Sequence, residues 1–211
     1  MSEKLKTGTT CIGVKFKDGV ILAADRRMTA GFIASDKASK VYELTDSIVG
    51  TTAGHAADNQ RFMRLIKGEL KLLALKNERS PKVSEAAMMF NSVQYSAIRS
   101  QGSIVSIILG GYDQFDGISL YNLSPDGTIV NNDGYVVDGS GSIYVKGIMD
   151  LEFKPNMSEK EALQLVEKGF RASFKNDNAS GGGFIVKVVT KDGIKEVARK
   201  VVESNLIDEK N

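Results

Sequence analysis

The sequence predicts an α+β fold of four layers, two antiparallel sheets stacked face to face with a helix pair on each outer side. Three observations carry this expectation. Strand patterns open the chain, return in its middle and close it. Helix patterns come in two pairs between those groups, not singly between strands, which argues against a doubly wound parallel sheet. A hydrophobic content of 42 % over 211 residues is enough to fill a sizeable core.

The elements follow in order. Ile12, Val14 and Phe16 alternate with Cys11, Gly13 and Lys15, the period of a strand. Asp18-Gly19 is a hairpin signal. The run Val20-Ile21-Leu22-Ala23-Ala24 is apolar on both faces and reads as a strand covered on both sides. Residues 47–53 form a further strand that ends at Gly54. From 56 to 76, Phe62, Met63, Ile66, Leu70 and Leu73 share one helical face. Glu78-Arg79-Ser80-Pro81 stops that helix. Ser80 as N-cap and Pro81 at the first helical position open the next, with Val83, Ala86, Ala87, Phe90, Val93 and Ala97 on its apolar face.

Strands return at 103–110, 118–123 and, as one run, 128–137, with Pro125-Asp126-Gly127 turning between the last two. Gly139-Ser140-Gly141-Ser142 is a sharp small-residue turn into a short helix. Ser158-Glu159-Lys160-Glu161 is a capping box, and Leu163, Val166, Phe170 and Phe174 continue one face. Residues 178–183 are a loop, and strands at 184–190 and 194–201 flank Lys191-Asp192-Gly193. No repeat or linker interrupts 9–211, so one domain is expected there.

Composition narrows the function. A net charge of +2 gives no reason to expect nucleic acid or membrane partners. The single cysteine, Cys11, rules out an internal disulfide and fits a reducing, cytoplasmic setting. No apolar run reaches the length of a membrane span. Residues 1–8 are polar and lack the apolar core of a signal peptide, so they read as a disposable extension. No Cys/His spacing suggests zinc, and no metal or cofactor is expected.

The chemistry begins at Gly8-Thr9-Thr10-Cys11-Ile12-Gly13. Cutting the Gly8–Thr9 bond would leave Thr9 with a hydroxyl and a free α-amine. The hydroxyl is a weak nucleophile, and the amine, with an unperturbed pKa of about 7.7–8.0, can serve as its base. Taken alone, Thr9 reads first as an ordinary strand threonine. Asp25 closes the strand covered on both faces and needs a cationic or hydrogen-bonding partner. Lys40 precedes Val41-Tyr42, and alone reads as a solvated lysine. Gly54 stands at a strand-to-helix corner, where a backbone N–H can face a developing oxyanion or simply make a turn. Ser140, Asp177 and Ser180 are unremarkable one by one. Cys11 with His55, the only histidine, is the minimum for a cysteine-type pair, though each also has a plain structural reading.

Together these residues resemble the β-type subunits of the archaeal proteasome core particle, N-terminal-nucleophile threonine proteases. The matching segments are Gly8 to Gly13, Ala24-Asp25-Arg26-Arg27, Lys40-Val41-Tyr42, Thr51-Thr52-Ala53-Gly54-His55, Leu109-Gly110-Gly111, Gly139-Ser140-Gly141-Ser142 and Asp177 to Gly182. No one segment is specific, but all of them in order and near the family spacing are. The resemblance implies the Ntn-hydrolase fold, with Thr9 as nucleophile after autocatalytic cleavage at Gly8. It implies Asp25 as the buried carboxylate, Lys40 as the catalytic lysine and Gly54 as oxyanion donor. Ser140, Asp177 and Ser180 would support the threonine, and Met28, Thr52 and Ala56 would line the pocket for the residue before the scissile bond. It further implies stacked seven-membered rings of β and α subunits, a regulatory ATPase ring on the α rings, and unfolded polypeptides as substrates. The alternatives are a non-catalytic ring subunit and a subunit of the bacterial two-ring relative.

Overall fold

The computed structural model describes residues 8–30, 32–101 and 104–202; the expected extension up to residue 7 and Ser103 of an expected strand lie outside these. The chain opens with β1 (Cys11–Phe16) and β2 (Gly19–Asp25), paired antiparallel from Cys11↔Ala24 to Phe16↔Gly19. Every residue of β2 is buried, as its two-faced apolar run requires. A fully buried Leu or Ile such as Leu22 or Ile21 contributes about 1.5–3 kcal/mol. Short strands follow: β3 (Met28–Thr29), β4 (Ile33–Ser35) and β5 (Val41–Glu43). Then come β6 (Ile48–Gly54), α1 (Ala56–Asn77) and α2 (Val83–Gln101). The second half holds β7 (Val105–Asp113), β8 (Gly117–Leu123), β9 (Ile129–Asn131), β10 (Tyr135–Asp138), α3 (Ser142–Glu152) and α4 (Glu159–Asn176). The described chain closes on β11 (Phe184–Thr190) and β12 (Gly193–Lys200).

Two five-stranded antiparallel sheets result, in the orders β10-β1-β2-β11-β12 and β5-β6-β7-β8-β9. Three apolar layers hold the stack. Cys11, Leu22, Val49, Ile108 and Leu120 lie between the sheets. Ile12, Val145, Leu165 and Phe170 join the first sheet to α3 and α4. Ile48, Phe62, Phe90 and Leu109 join the second to α1 and α2. The fold is therefore the four-layer α+β sandwich. Among the described residues no helix is long and apolar enough to cross a membrane.

Two local expectations are corrected, and one hairpin is new. The run 128–137 is two strands. β9 pairs with β8 of one sheet, Asn132-Asp133-Gly134 bends the chain across, and β10 pairs with β1 of the other. The second helix starts at Val83, not after Ser80 and Pro81. Lys82 is its N-cap, with its carbonyl accepting the Ala86 N–H. The first donors are met by side chains instead: Val83 N–H by Asp113 Oδ2 at 3.0 Å and Lys82 N–H by Glu85 Oε2 at 2.8 Å. Asp113 is distant in sequence, so this start is a tertiary decision. The hairpin of β3 and β4 was not expected, because two or three residues give too few alternations to read.

Candidate active site

Antiparallel pairing gathers the ends of several strands at one edge of the sandwich. β1 begins where β2 ends, and β11 begins opposite Asp25 in the pair Phe184↔Asp25. From the second sheet, Lys40 directly precedes β5 and Gly54 ends β6. A cavity of about 210 Å³ opens among them, lined by Thr9, Lys40, Gly54, Met28, Thr52 and Ala56.

Thr9 is 4 % exposed, and its Oγ1 donates to the Gly8 carbonyl oxygen at 2.6 Å. Lys40 Nζ donates to Thr9 Oγ1 at 2.9 Å, to Asp25 Oδ1 at 2.7 Å and to the Gly8 carbonyl at 3.2 Å. Those three acceptors match the three N–H bonds of an ammonium. Asp25 is fully buried. Its Oδ1 also accepts the Thr10 N–H at 3.0 Å, and its Oδ2 accepts the N–H groups of Arg27 and Gly181, both at 3.0 Å. Burial pushes the Asp25 carboxyl upward, against the pull of the Lys40 ammonium and the backbone donors of Thr10 and Gly181. The geometry holds the ionised form: each oxygen faces two donors, which leaves no place for a carboxyl proton. A buried pair this well bonded is costly to break from either side.

A second group holds the nitrogen of Thr9. Ser140, in the turn from β10 to α3, accepts the Thr9 N–H on Oγ at 3.2 Å and donates to Asp177 Oδ2 at 2.6 Å. Ser180 Oγ donates to the same oxygen at 2.7 Å, and Ala179 N–H reaches Asp177 Oδ1 at 3.1 Å. Asp177 caps the C-terminus of α4, its N–H still bonded to the Ser173 carbonyl. Thr9 is thus gripped at its hydroxyl by Lys40 and at its nitrogen by Ser140.

The structure brings Thr9, Asp25, Lys40, Ser140, Asp177 and Ser180 into one hydrogen-bonded assembly. Gly54, with φ of 116°, lines the same cavity; the bonds to the Gly8 carbonyl come from Thr9 and Lys40. Gly8 itself has no room for a side chain, since a Cβ there would lie 1.8 Å from Ala179 Cβ. Cys11 and His55 are not joined. The Cys11 thiol is buried between the sheets, where burial pushes it far up, and it donates to the Thr52 carbonyl. His55 precedes α1 and pairs with Asp58 at 3.6 Å. Among the described residues no three His, Cys, Asp or Glu side chains stand together to hold a metal.

Three neighbours of the site were not assigned roles from the sequence. Thr29 Oγ1 accepts the Gly8 N–H at 3.0 Å, and the Thr10 hydroxyl lies between those of Ser180 and Ser173. Isolated hydroxyls on strands and helices carry no pattern. Only the position of Thr10, next to Thr9, could have drawn notice.

The chain matches a family model described as proteasome subunit over residues 5–189. It is 34 % identical to a proteasome subunit beta of Archaeoglobus fulgidus, covering 98 % of this chain and 96 % of that one. Against a proteasome subunit beta of Methanobrevibacter smithii the identity is 35 %, over 96 % and 97 % of the two chains. Against one from Methanocorpusculum labreanum it is 37 %, over 90 % and 89 %. With the two-sheet sandwich and the match over nearly its whole length, the chain belongs to the proteasome subunit family, among the β subunits.

Proposed function

We propose that this chain is a catalytic β subunit of a proteasome core particle, a threonine endopeptidase whose nucleophile is freed by its own cleavage of the Gly8–Thr9 bond. The observation that carries the reading is the row Thr9 Oγ1–Lys40 Nζ–Asp25 Oδ1 lying against the Gly8 carbonyl.

In the intact chain the Thr9 oxygen bonds to the Gly8 carbonyl carbon. The hydroxyl proton ends on the Thr9 nitrogen as the C–N bond breaks, which leaves an ester. Water cleaves that ester, releasing residues 1–8 as an acid and leaving a free α-amine. Lys40 places positive charge where the carbonyl oxygen becomes negative. In the mature subunit the α-amine takes the hydroxyl proton and passes it to the departing amine of a substrate peptide, and water then hydrolyses the Thr9 ester. Lys40 favours the neutral, basic amine through its charge. Asp25 holds Lys40, Ser140 orients the amine, Asp177 and Ser180 hold Ser140, and Gly54 N–H receives the oxyanion. Met28, Thr52 and Ala56 receive the side chain before the scissile bond. No metal or cofactor takes part.

The reading includes assembly in seven-membered β rings stacked between α rings in the cytoplasm, with an ATPase ring delivering unfolded polypeptides. Large apolar side chains left in water support an assembling subunit, among them Leu151 at 87 % and Ile143 at 71 % exposure on α3. The test is co-assembly with α subunits. The wild type should lose residues 1–8 by mass and hydrolyse a fluorogenic peptide, while Thr9→Ala should keep them and be inert. An assembled Thr9→Ala particle that is cleaved at residue 8 or turns over peptide would overturn the reading.

A further inference from the structure

Resting on the peptidase reading, we propose that Thr10 and Ser173 are positioning residues: a buried row of hydroxyls that holds Ser180, Asp177 and Ser140 in the arrangement that aims Ser140 at the Thr9 nitrogen.

Thr10 and Ser173 are both 0 % exposed. Thr10 Oγ1 lies 2.7 Å from Ser180 Oγ and 2.5 Å from Ser173 Oγ. The far end of the row sets the direction of every bond in it. A carboxylate only accepts, so Ser180 gives its single proton to Asp177 Oδ2. Ser180 is then the acceptor toward Thr10, and Thr10 spends its proton there. Ser173 must in turn donate to Thr10. The row therefore runs Ser173 to Thr10 to Ser180 to Asp177. At the same carboxylate oxygen Ser140 arrives as the second donor, and Ser140 accepts from Thr9. Turning any hydroxyl in the row around leaves a buried oxygen facing another without a proton between them.

Two further observations show that this row is closely built. Gly141 roofs it: a Cβ there would lie 2.0 Å from Thr10 Oγ1 and 2.3 Å from Ser173 Oγ. The Thr10 backbone is bonded both ways to Asp25, giving its N–H to Oδ1 at 3.0 Å and accepting the Asp25 N–H at 3.1 Å. One residue thus ties the group that grips the Thr9 hydroxyl to the group that grips the Thr9 nitrogen. A β-branched side chain, stiff at χ1, suits that post.

The test uses particles of the full-length chain co-assembled with α subunits, a fluorogenic peptide, and thermal unfolding as a control. Thr10→Val keeps the shape and removes the hydroxyl. It should lower kcat about tenfold, the scale of one misplaced hydrogen bond, with KM unchanged. Thr10→Ser should restore kcat to within about twofold. In a Ser180→Ala background, Thr10→Val should add nothing, because its effect passes through Ser180. Wild-type kcat in Thr10→Val, no rescue by serine, or additive losses in the double variant would each overturn the inference. Should Thr10→Val fail to assemble, Ser173→Ala probes the row from α4. It should lower kcat, again with no added loss on Ser180→Ala, and a wild-type kcat there overturns the inference. An active wild type with an unaffected Thr10→Val refutes this inference alone. An inert wild-type particle refutes the peptidase reading and the inference with it.

Discussion

Asp25→Asn replaces one oxygen by an NH2 group in an almost unchanged volume, and the site has no place for it. Oδ1 receives Lys40 Nζ and the Thr10 N–H, and Oδ2 receives the N–H groups of Arg27 and Gly181. An amide turned with its NH2 toward Lys40 sets donor against donor there and at Thr10. Turned the other way, it does so at Arg27 and Gly181. Either way two hydrogen bonds to a charged acceptor are lost, together about 3–6 kcal/mol at about 1.5–3 kcal/mol each. That is a large part of the ~5–15 kcal/mol that holds a domain folded, so thermal unfolding should drop sharply. Lys40 then faces a neutral partner and leaves its place between Thr9 Oγ1 and the Gly8 carbonyl. The expected loss in kcat/KM is about 10²–10³-fold, the effect of removing one electrostatic donor from an oxyanion. Cleavage at Gly8 should slow in parallel, since the same Nζ serves that step. The assays are peptide kinetics on assembled particles and a mass-spectrometric time course of the precursor. An assembled Asp25→Asn particle with normal processing and normal kcat/KM would refute the argument.

Other outcomes follow from the same geometry. Gly8→Ala puts a methyl 1.8 Å from Ala179 Cβ and 2.7 Å from its Cα, so processing should slow ~10²-fold, as ångström-scale misplacement does; normal processing of Gly8→Ala contradicts this. Among matched peptides, cleavage after a large apolar residue should have the highest kcat/KM, because Met28, Thr52 and Ala56 offer a buried Glu or Arg no countercharge. Of the cations that also line the cavity, Arg27 and Lys40 are paired with Asp36 and Asp25, and Lys37 is exposed; a Glu or Arg substrate winning by about tenfold or more would count against the pocket assignment. The Arg79 guanidinium, bonded to both carboxylate oxygens, and the Lys82 N–H hold Glu85 below the usual carboxylate range against its partial burial. Such a depressed group adds stability above the ordinary glutamate range and loses it as pH falls through the lowered value. Glu85→Gln should therefore lower Tm slightly at neutral pH, with the gap to wild type closing in acid; a gap that is constant with pH removes the pair from the account.

The regular elements were largely legible because their signals are local. The two-faced apolar run at 20–24 is buried throughout as β2, and the Ser158 capping box opens α4 with both of its bonds made. The misses lie where distant residues decide. Asp113 sets the start of α2, and the break at 132–134 follows from which sheet has an open edge for β10. The candidate site divides in the same way. Gly8-Thr9 offers a chemistry in one dimension, a nucleophile and a base on one cleavable residue, but alone it reads first as an ordinary strand threonine. Asp25 drew notice as a carboxylate ending a buried strand, but its role and that of Lys40 came only through family spacing, and Thr29, Thr10 and Ser173 drew none as contributors to the site.

What the sequence alone determined was the layer architecture, the family it resembles and the residue types available for chemistry, since all of these rest on periodicity, turn signals and spacing along the chain. The tertiary structure decided which groups touch. Strand pairing sets the end of β2 beside the start of β1, and sheet stacking brings Lys40 from the other layer to within 2.7 Å of Asp25 and 2.9 Å of Thr9. Hydrogen bonds extend about 3 Å. Ser140, 131 positions from Thr9, and Ser180, 170 positions from Thr10, come within that range of those residues only once both sheets and the turn after α4 are in place, and no pattern along the chain encodes the distance.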